Sequence, residues 1–390
     1  PFKYIPGYSK SGIPAIHISN YIADGILKTV GSSRAIIQSE MNRTLGPETL
    51  SIPGITLSAN VELKDIYSRA ANVVGKVISR NHKYRDEFIV IGAHFDHLGY
   101  GGPGSGSLKP DTSAIHNGAN DNASGTAGLL ELAHKLQINR QLLKRSVLLI
   151  AFDAEEKGLL GSKYFIQNPT VDKSNIVTMI NMDMIGNMQD STLIIGGVGT
   201  SPLFEPMLDS LSKDSGLKFE FNQAGYGPSD HASFYSENIP VLFFFTGDYS
   251  TNYHSPEDDW EEINTQGEKQ ILDVVYDIVI DISRKSSKPS FELAGPKKQQ
   301  SQRNNQKVKL GIIPDYGGTI KGLKIDKIYD PSGPAAKAGI RPGDIIRSIN
   351  KMPVNDIYEF MKRMETVEKG QSISVDIKRD GKIIMLTVRF

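Results

Sequence analysis

The sequence predicts an α/β protein, in which a mixed, mainly parallel sheet flanked by helices is followed by a small C-terminal β-rich domain. Three observations predict it. Short apolar runs without polar alternation, the pattern of strands buried on both faces, recur at 88–93, 147–152, 176–182 and 241–245. Helical spacing of apolar residues follows at 126–136 (Leu129, Leu132, Ala133, Leu136) and at 266–284 (Ile271, Val274, Val275, Ile278, Ile282). Past a polar stretch of low complexity, the pattern changes to short strands and a hairpin.

At 390 residues the chain can build two or three domains and a sizeable core. Lys+Arg and Asp+Glu both total 44, so charge gives no reason to expect a nucleic acid or an anionic membrane as partner. Cysteine is absent, which removes disulfides, thiolate nucleophiles and sulfur-ligated metals. No apolar run approaches the ~18 residues of a membrane span. The first residue is Pro1, and the expectation is a processed or cut chain from an exported, periplasmic or extracellular protein whose signal peptide has been lost.

In chain order, 12–19 reads as a strand with His17 as a satisfied core histidine, 21–27 as a short helix and 32–39 as another strand. From Ile55 the α/β pattern sets in, with a strand within 72–79, a polar turn at 81–86 and the strand that ends at His94. The glycine-rich segment 99–107 reads as a flexible loop and mobile rim, because no Gly-Lys-Ser/Thr accompanies it as a phosphate loop requires. His116 is placed at that rim, and His134 inside a helix in a packed or solvated role. From 285 to 306 the composition cannot bury a core and reads as a linker. Beyond it, 308–313, 319–329, 344–349 and 373–378 read as strands, 358–366 as a helix, and Asp380-Gly381 as the turn of a hairpin to 383–390.

In open α/β sheets a site lies beyond the carboxyl ends of the strands. His94, Glu155, Glu156 and Asp183 each follow an apolar run, so they are expected on one edge, facing Asp121 in Asn-Gly-Ala-Asn-Asp-Asn-Ala-Ser-Gly at 117–125. Alone, that segment reads as an Asx/Ser helix cap, and adjacent glutamates as a solvated surface. Their joint placement after successive strands favours a site, to which His254 brings a second imidazole. Two imidazoles, two aspartates and a glutamate, without sulfur, suit zinc or a similar borderline ion. A bridging carboxylate with two ligands on each side would hold two metals ~3.5–4 Å apart, and three carboxylates with one bridging hydroxide would neutralise two divalent ions.

The segments Gly92-Ala-His-Phe-Asp-His-Leu-Gly99, Asn120-Asp-Asn-Ala-Ser-Gly125, Asp153-Ala-Glu-Glu156, Asn181-Met-Asp183, Ser229-Asp-His-Ala-Ser-Phe234 and Tyr253-His254 resemble the di-zinc metallo-aminopeptidase family, the bacterial leucyl-aminopeptidase-like exopeptidases. The resemblance implies the zinc exopeptidase fold over 56–295 and two zinc ions per chain. Asp121 would bridge them, His94 and Asp183 completing one site and Glu156 and His254 the other. It further implies Glu155 as general base, Asp96 as the carboxylate orienting His94, Tyr226 as stabiliser of the tetrahedral intermediate, and a cis peptide at Asp121-Asn122. His97 and His231 stay open. Residues 1–55 resemble the end of a protease-associated domain and its connection.

Residues 307–390, after the polar linker 296–306, resemble a bacterial PDZ domain. Leu310-Gly311-Ile312-Ile313 would be its carboxylate loop, and capture of a peptide C-terminus by strand addition is implied. The expected function is release of N-terminal residues from peptide substrates through a zinc-bridging hydroxide. The alternatives are a single-zinc enzyme of glutaminyl-cyclase type and a catalytically silent peptide receptor or adaptor, both disfavoured by the complete ligand set and base. No expected ligand lies beyond His254, so the PDZ domain is expected to be dispensable for the chemistry.

Overall fold

The structure is a computed structural model of the chain, and it describes residues 18–44, 50–56, 68–247, 252–297, 308–314, 321–355, 357–364 and 366–390. These fall in two compact units, Pro1–Ser68 and Arg69–Phe390. Among the described residues no helix is long and apolar enough to cross a membrane.

The first unit contains α1 (Asn20–Lys28) and α2 (Arg34–Thr44). Ser19 caps α1 by accepting the Ile22 N–H at 3.3 Å. The strand expected at 32–39 is corrected to helix α2. Ser33 Oγ accepts the Ile36 N–H at its start, and Gln38 donates to Asn42 at 3.0 Å, an i,i+4 pairing that only a helix brings together. Arg34 also forks onto the Asp24 carboxylate at 2.9 and 2.8 Å, a contact that local sequence spacing does not reveal. The strand and His17 expected at 12–19 lie mostly outside the described residues, as does the linker from 298 to 306.

The second unit begins with β1 (Val73–Val77), β2 (Phe88–His94), α3 (Ser124–Ile138), β3 (Ser146–Phe152), α4 (Leu160–Gln167), β4 (Ile176–Met182), β5 (Thr192–Gly196), α5 (Phe204–Ser215), β6 (Lys218–Phe221), α6 (His231–Tyr235), β7 (Val241–Phe245) and α7 (Thr265–Arg284). The sheet order is β1-β3-β2-β4-β7-β5-β6. Strands β3, β2, β4 and β7 pair in parallel, whereas β1 runs antiparallel to β3 and β5 antiparallel to β7. The sheet is mixed and mainly parallel, as expected.

Side chains alternate across it. Ile89, Ile91, Val147 and Leu149 pack under α3, α5 and α7 with Leu132, Leu136, Phe204, Ile271 and Ile278. Val90, Leu148, Ile150 and Phe152 pack on the opposite face with Phe165 of α4 and Phe234 of α6. Because β2, β3 and β4 are parallel neighbours, the residues that follow them emerge at one edge.

Arg145 ties α7 to this sheet. It is fully buried, donates through Nε to Glu87 at 2.6 Å, and through Nη1 to the carbonyls of Ile282 and Lys285 at 2.9 and 2.8 Å, where α7 ends. Those carbonyls are the unsatisfied acceptors of the helix end.

The C-terminal domain comprises β8 (Ile312–Pro314), β9 (Leu323–Ile328), α8 (Pro334–Ala338), β10 (Ile345–Ile349), β11 (Met352–Pro353), α9 (Ile357–Met364), β12 (Ser372–Arg379) and β13 (Lys382–Arg389). Its strand order is β13-β12-β10-β9-β8, with β11 on β10. All pairs are antiparallel, around a core of its own that includes Leu310, Leu323, Ile325, Ile346 and Val375. The strand read at 308–313 starts four residues later, since 308–311 is the loop that leads into β8.

Arg145→Ala should lower unfolding stability by about 2–4 kcal/mol, because it leaves the α7 carbonyls without their buried donor, while Glu87 keeps only the more distant Lys288 at 3.6 Å. Urea midpoints check this, and an unchanged midpoint would show that α7 is anchored by apolar packing alone.

Candidate metal centre

Asp121 sits in a kinked turn at Ala119–Ala123, immediately before α3, and the Asp121-Asn122 peptide is cis, as the resemblance implied. The turn is gripped from two sides. The Asp258 carboxylate accepts the N–H groups of Asn120 and Asp121 at 2.9 and 3.0 Å. Toward the end of β4, Asn122 donates to the Met182 carbonyl at 3.1 Å and accepts the Met184 N–H at 3.1 Å, and Asn120 accepts the Gly186 N–H at 2.9 Å. Gly118, at φ +62°, is required here, since a Cβ would stand 2.3 Å from the Asp121 carbonyl.

The buried Asp121 carboxylate offers one oxygen to each of two imidazoles. His94 Nε2 is 3.3 Å from its Oδ1 and 3.5 Å from Asp183 Oδ1. His254 Nε2 is 3.1 Å from its Oδ2 and 3.4 Å from Glu156 Oε1. Both Nδ1–H groups donate to main-chain carbonyls, His94 to Asp96 at 3.1 Å and His254 to Gly106 at 3.2 Å, so that on loss of the other proton each Nε2 would present its lone pair inward. Ligand atoms about 2.0–2.1 Å from a tetrahedral zinc lie ~3.3–3.4 Å apart, so the donor spacing fits two such ions.

Charge points the same way. Asp121, Glu155, Glu156, Asp183 and Asp230 are brought together, and the ion pairs of this cluster among the described residues involve only histidines. Asp230 is fully buried, and burial pushes it up to about 7. Burial also drives Glu155 well above the usual carboxylate range, the positive field of His94 being too weak to offset it. Burial acts on Glu156 too, but hydrogen bonds from His254 and His97 overcome it and bring the group down to about 2. Burial would depress His254; its contacts with Asp121 and Glu156 raise it to about 10 instead.

Several expectations need correcting. The Asp96 carboxylate stands 3.8 Å from His94 Nδ1, at ion-pair distance, and the Asp96 carbonyl makes the closer contact with that nitrogen at 3.1 Å. The carboxylate accepts the N–H groups of Glu155 and Glu156 at 2.9 and 3.2 Å, and so fixes the turn that presents both glutamates. Tyr226 is not brought to the pocket; it packs against the core cluster under α4 and α6 and lines a separate depression with Leu159, Lys163 and Ser236. The segment 99–107 is no loose rim, because Leu108 N–H donates to the His254 carbonyl at 2.9 Å and Gly106 receives its ring. His116 lies buried beneath that segment, bonded to Ser107 Oγ at 2.8 Å, where a Cβ on Gly101 would meet its ring at 2.3 Å.

The histidines left open now have places. His97 Nδ1–H donates to Glu156 Oε1 at 2.9 Å, and His97, Asp121 and Glu156 form a possible ligand group of their own. His254 is the better second imidazole, because its Nε2 faces Asp121 and Glu156 together. His231 stacks on Phe243 with ring centroids 4.4 Å apart, and burial lowers it to about 3. Asp258, which sequence reasoning missed, works through main-chain N–H groups; its only signal was its position four residues after His254.

Residues 72–279, more than half of the chain, match Peptidase family M28, and residues 300–390 match the PDZ domain. Aminopeptidase YwaD of Bacillus subtilis (strain 168) is 28% identical over 250 residues, which cover 59% of this chain and 49% of that protein. Leupeptin-inactivating enzyme 1 of Streptomyces exfoliatus is 36% identical over 137 residues, covering 34% of this chain and 30% of that protein. The chain thus spans half or less of the length of these relatives. A solved structure described as BSAP, a zinc aminopeptidase from Bacillus subtilis, overlaps 57% of this chain and 53% of its own at 26% identity and a TM-score of 0.46.

Since His254 holds its proton up to about pH 10 in the metal-free chain, a metal ion must displace that proton, and apparent affinity should rise with pH below that value. Calorimetry at pH 7 in buffers of different ionisation heat should find about one proton released per imidazole ligand; none released would contradict the ligand assignment. Asp258→Ala should weaken metal binding ~10–100-fold without unfolding the chain, as loss of an outer support does. Titration with a competing zinc indicator checks it, and unaltered affinity would show that the Asp121 turn holds itself.

Proposed function

The chain belongs to peptidase family M28, and on that premise we propose that it is a di-zinc exopeptidase, most directly an aminopeptidase that releases N-terminal residues from peptides. The observation that carries the reading is the Asp121 carboxylate, with one oxygen turned to His94 and Asp183 and the other to His254 and Glu156 at ligand spacing. His94, Asp183 and Asp121 would hold one ion, and Glu156, His254 and Asp121 the other. Zinc bound there supplies Lewis-acid polarisation of the scissile carbonyl and a water acidified to near neutrality.

The chain's own residues do the rest. Glu155 lines the same pocket and is held by its main chain to Asp96. Burial raises its affinity for a proton, and with cations held beside it the carboxylate form would be restored, so that it could take a proton from the attacking water and return it to the leaving amine nitrogen. Met184, Pro228, Phe243, Phe245 and Tyr253 form the apolar side of the pocket and would accept an apolar side chain of the terminal residue. The names of the similar proteins, an aminopeptidase and a leupeptin-inactivating enzyme, agree with action on peptides. The PDZ domain would add a site for a peptide C-terminus along β8, by strand addition.

Glu155→Gln should retain both zinc ions and lose ~10²–10⁴-fold in turnover of a leucyl chromogenic anilide, the share a positioned general base contributes. Glu156→Ala should lose metal from one site, because it removes a ligand and its charge. Metal content measured beside turnover decides: zinc loss in Glu155→Gln with retention in Glu156→Ala would reverse the two roles, and a fully active Glu155→Gln would refute the mechanism.

A further inference from the structure

Strand β8 meets the chain on two sides. Ile312 packs into the core of the PDZ domain, whereas its neighbour Ile313, on the other face by strand alternation, packs against the cluster of Met184, Ile194 and Phe245 together with Phe243 and Tyr253. Met184, Phe243, Phe245 and Tyr253 also line the metal pocket. Two ring pairs stand there. Phe243 lies on Phe245 with centroids 6.1 Å apart and 8° between planes, and Tyr253 lies on the His254 imidazole at 3.9 Å and 18°. Packed interiors pass on a change of volume to their neighbours.

We propose that the PDZ domain is a structural part of the substrate pocket, and that Ile313, standing behind its apolar wall, sets which terminal side chains fit. The expectation that the domain is dispensable is thereby limited to the ligands and the base; it does not extend to substrate choice. Ile313 is not a catalytic residue: it packs against the apolar cluster behind the pocket and is not among the residues that line it. The proposal rests on the peptidase reading, since it names the specificity of that same pocket. It predicts that loss of the Ile313 side chain lets Phe243 and Phe245 relax into the space behind them, which loosens the fit for bulky apolar residues and leaves small ones unaffected.

The test uses the full chain with Ile313→Ala, Ile313→Asp and the conservative Ile313→Val, each measured for bound zinc and for kcat and KM on leucyl and alanyl chromogenic anilides. The expected result is a leucyl-to-alanyl ratio of kcat/KM reduced about three- to tenfold in the Ala and Asp variants. The change should lie mainly in the KM for the leucyl substrate, with zinc content and alanyl kcat unchanged and with recovery in the Val variant. A ratio within about twofold of the parent in both the Ala and Asp variants would overturn the proposal.

A second measurement needs no activity. The chain contains no cysteine, so the pair Ile313→Cys and Phe243→Cys can be joined selectively by a short thiol cross-linker. It should react within the chain, unlike a control pair of Ile313→Cys with Leu130→Cys, whose Leu130 lies exposed on α3. Equal yields from the two pairs would overturn the docking itself. If the parent chain hydrolyses neither anilide, the peptidase reading fails, and with it the specificity role, while the cross-link still decides the contact.

Discussion

Carboxylates crowded in a buried cluster, paired among the described residues with imidazoles alone, are the constraint to which the site's surroundings answer. Asp121, Glu156 and Asp183 converge within hydrogen-bond range of His94 and His254, and Glu155 and Asp230 are buried beside them. Removing one carboxylate from water costs several kcal/mol, and like charges add repulsion. Without cations the chain relieves the strain by proton uptake, seen in the raised carboxyls of Glu155 and Asp230 and the raised imidazole of His254. Divalent ions would relieve it by charge, and the donor spacing suits them.

Groups that repel one another stay together only if their backbones are held elsewhere, and the fold supplies those holds. Parallel β2, β3 and β4 bring His94, the Glu155–Glu156 turn and Asp183 to one edge. Asp121 is brought to them on the turn before α3, where Asp258 and the amides of Asn120 and Asn122 pin the chain. Asp96 pins the glutamate turn in the same manner. The supports are acidic too, but their charge is spent on main-chain N–H donors, so they hold the ligands' backbones without competing for the metal.

What the sequence disclosed follows from which physical signals are local. The four apolar runs announced buried strands because parallel strands carry that signature throughout, and each ended at a candidate ligand. Strand β6 carries no such run, having exposed Lys218 and only half-buried neighbours, and it passed unread. Helix α2 was mistaken for a strand because its paired isoleucines Ile36 and Ile37 favour extended chain, while the Arg34–Asp24 fork that steadies the helix spans two segments. The ligands were legible as residue types after strands. Of their supports only Asp96 was named, as a partner of His94, and its hold on the glutamate turn was not legible, since Asp96 and Asp258 act on peptide N–H groups. The hold of His116 on a loop and the contact of Ile313 across a domain boundary were not legible either.

The most direct measurement of the central claim, that Asp121 bridges two ions, is an anomalous difference map at the zinc edge from crystals of the full chain grown with zinc. The account predicts two peaks ~3.5–4 Å apart astride the Asp121 carboxylate, one beside His94 and Asp183 and the other beside Glu156 and His254. A single peak, or a pair that leaves Asp121 out, would contradict it.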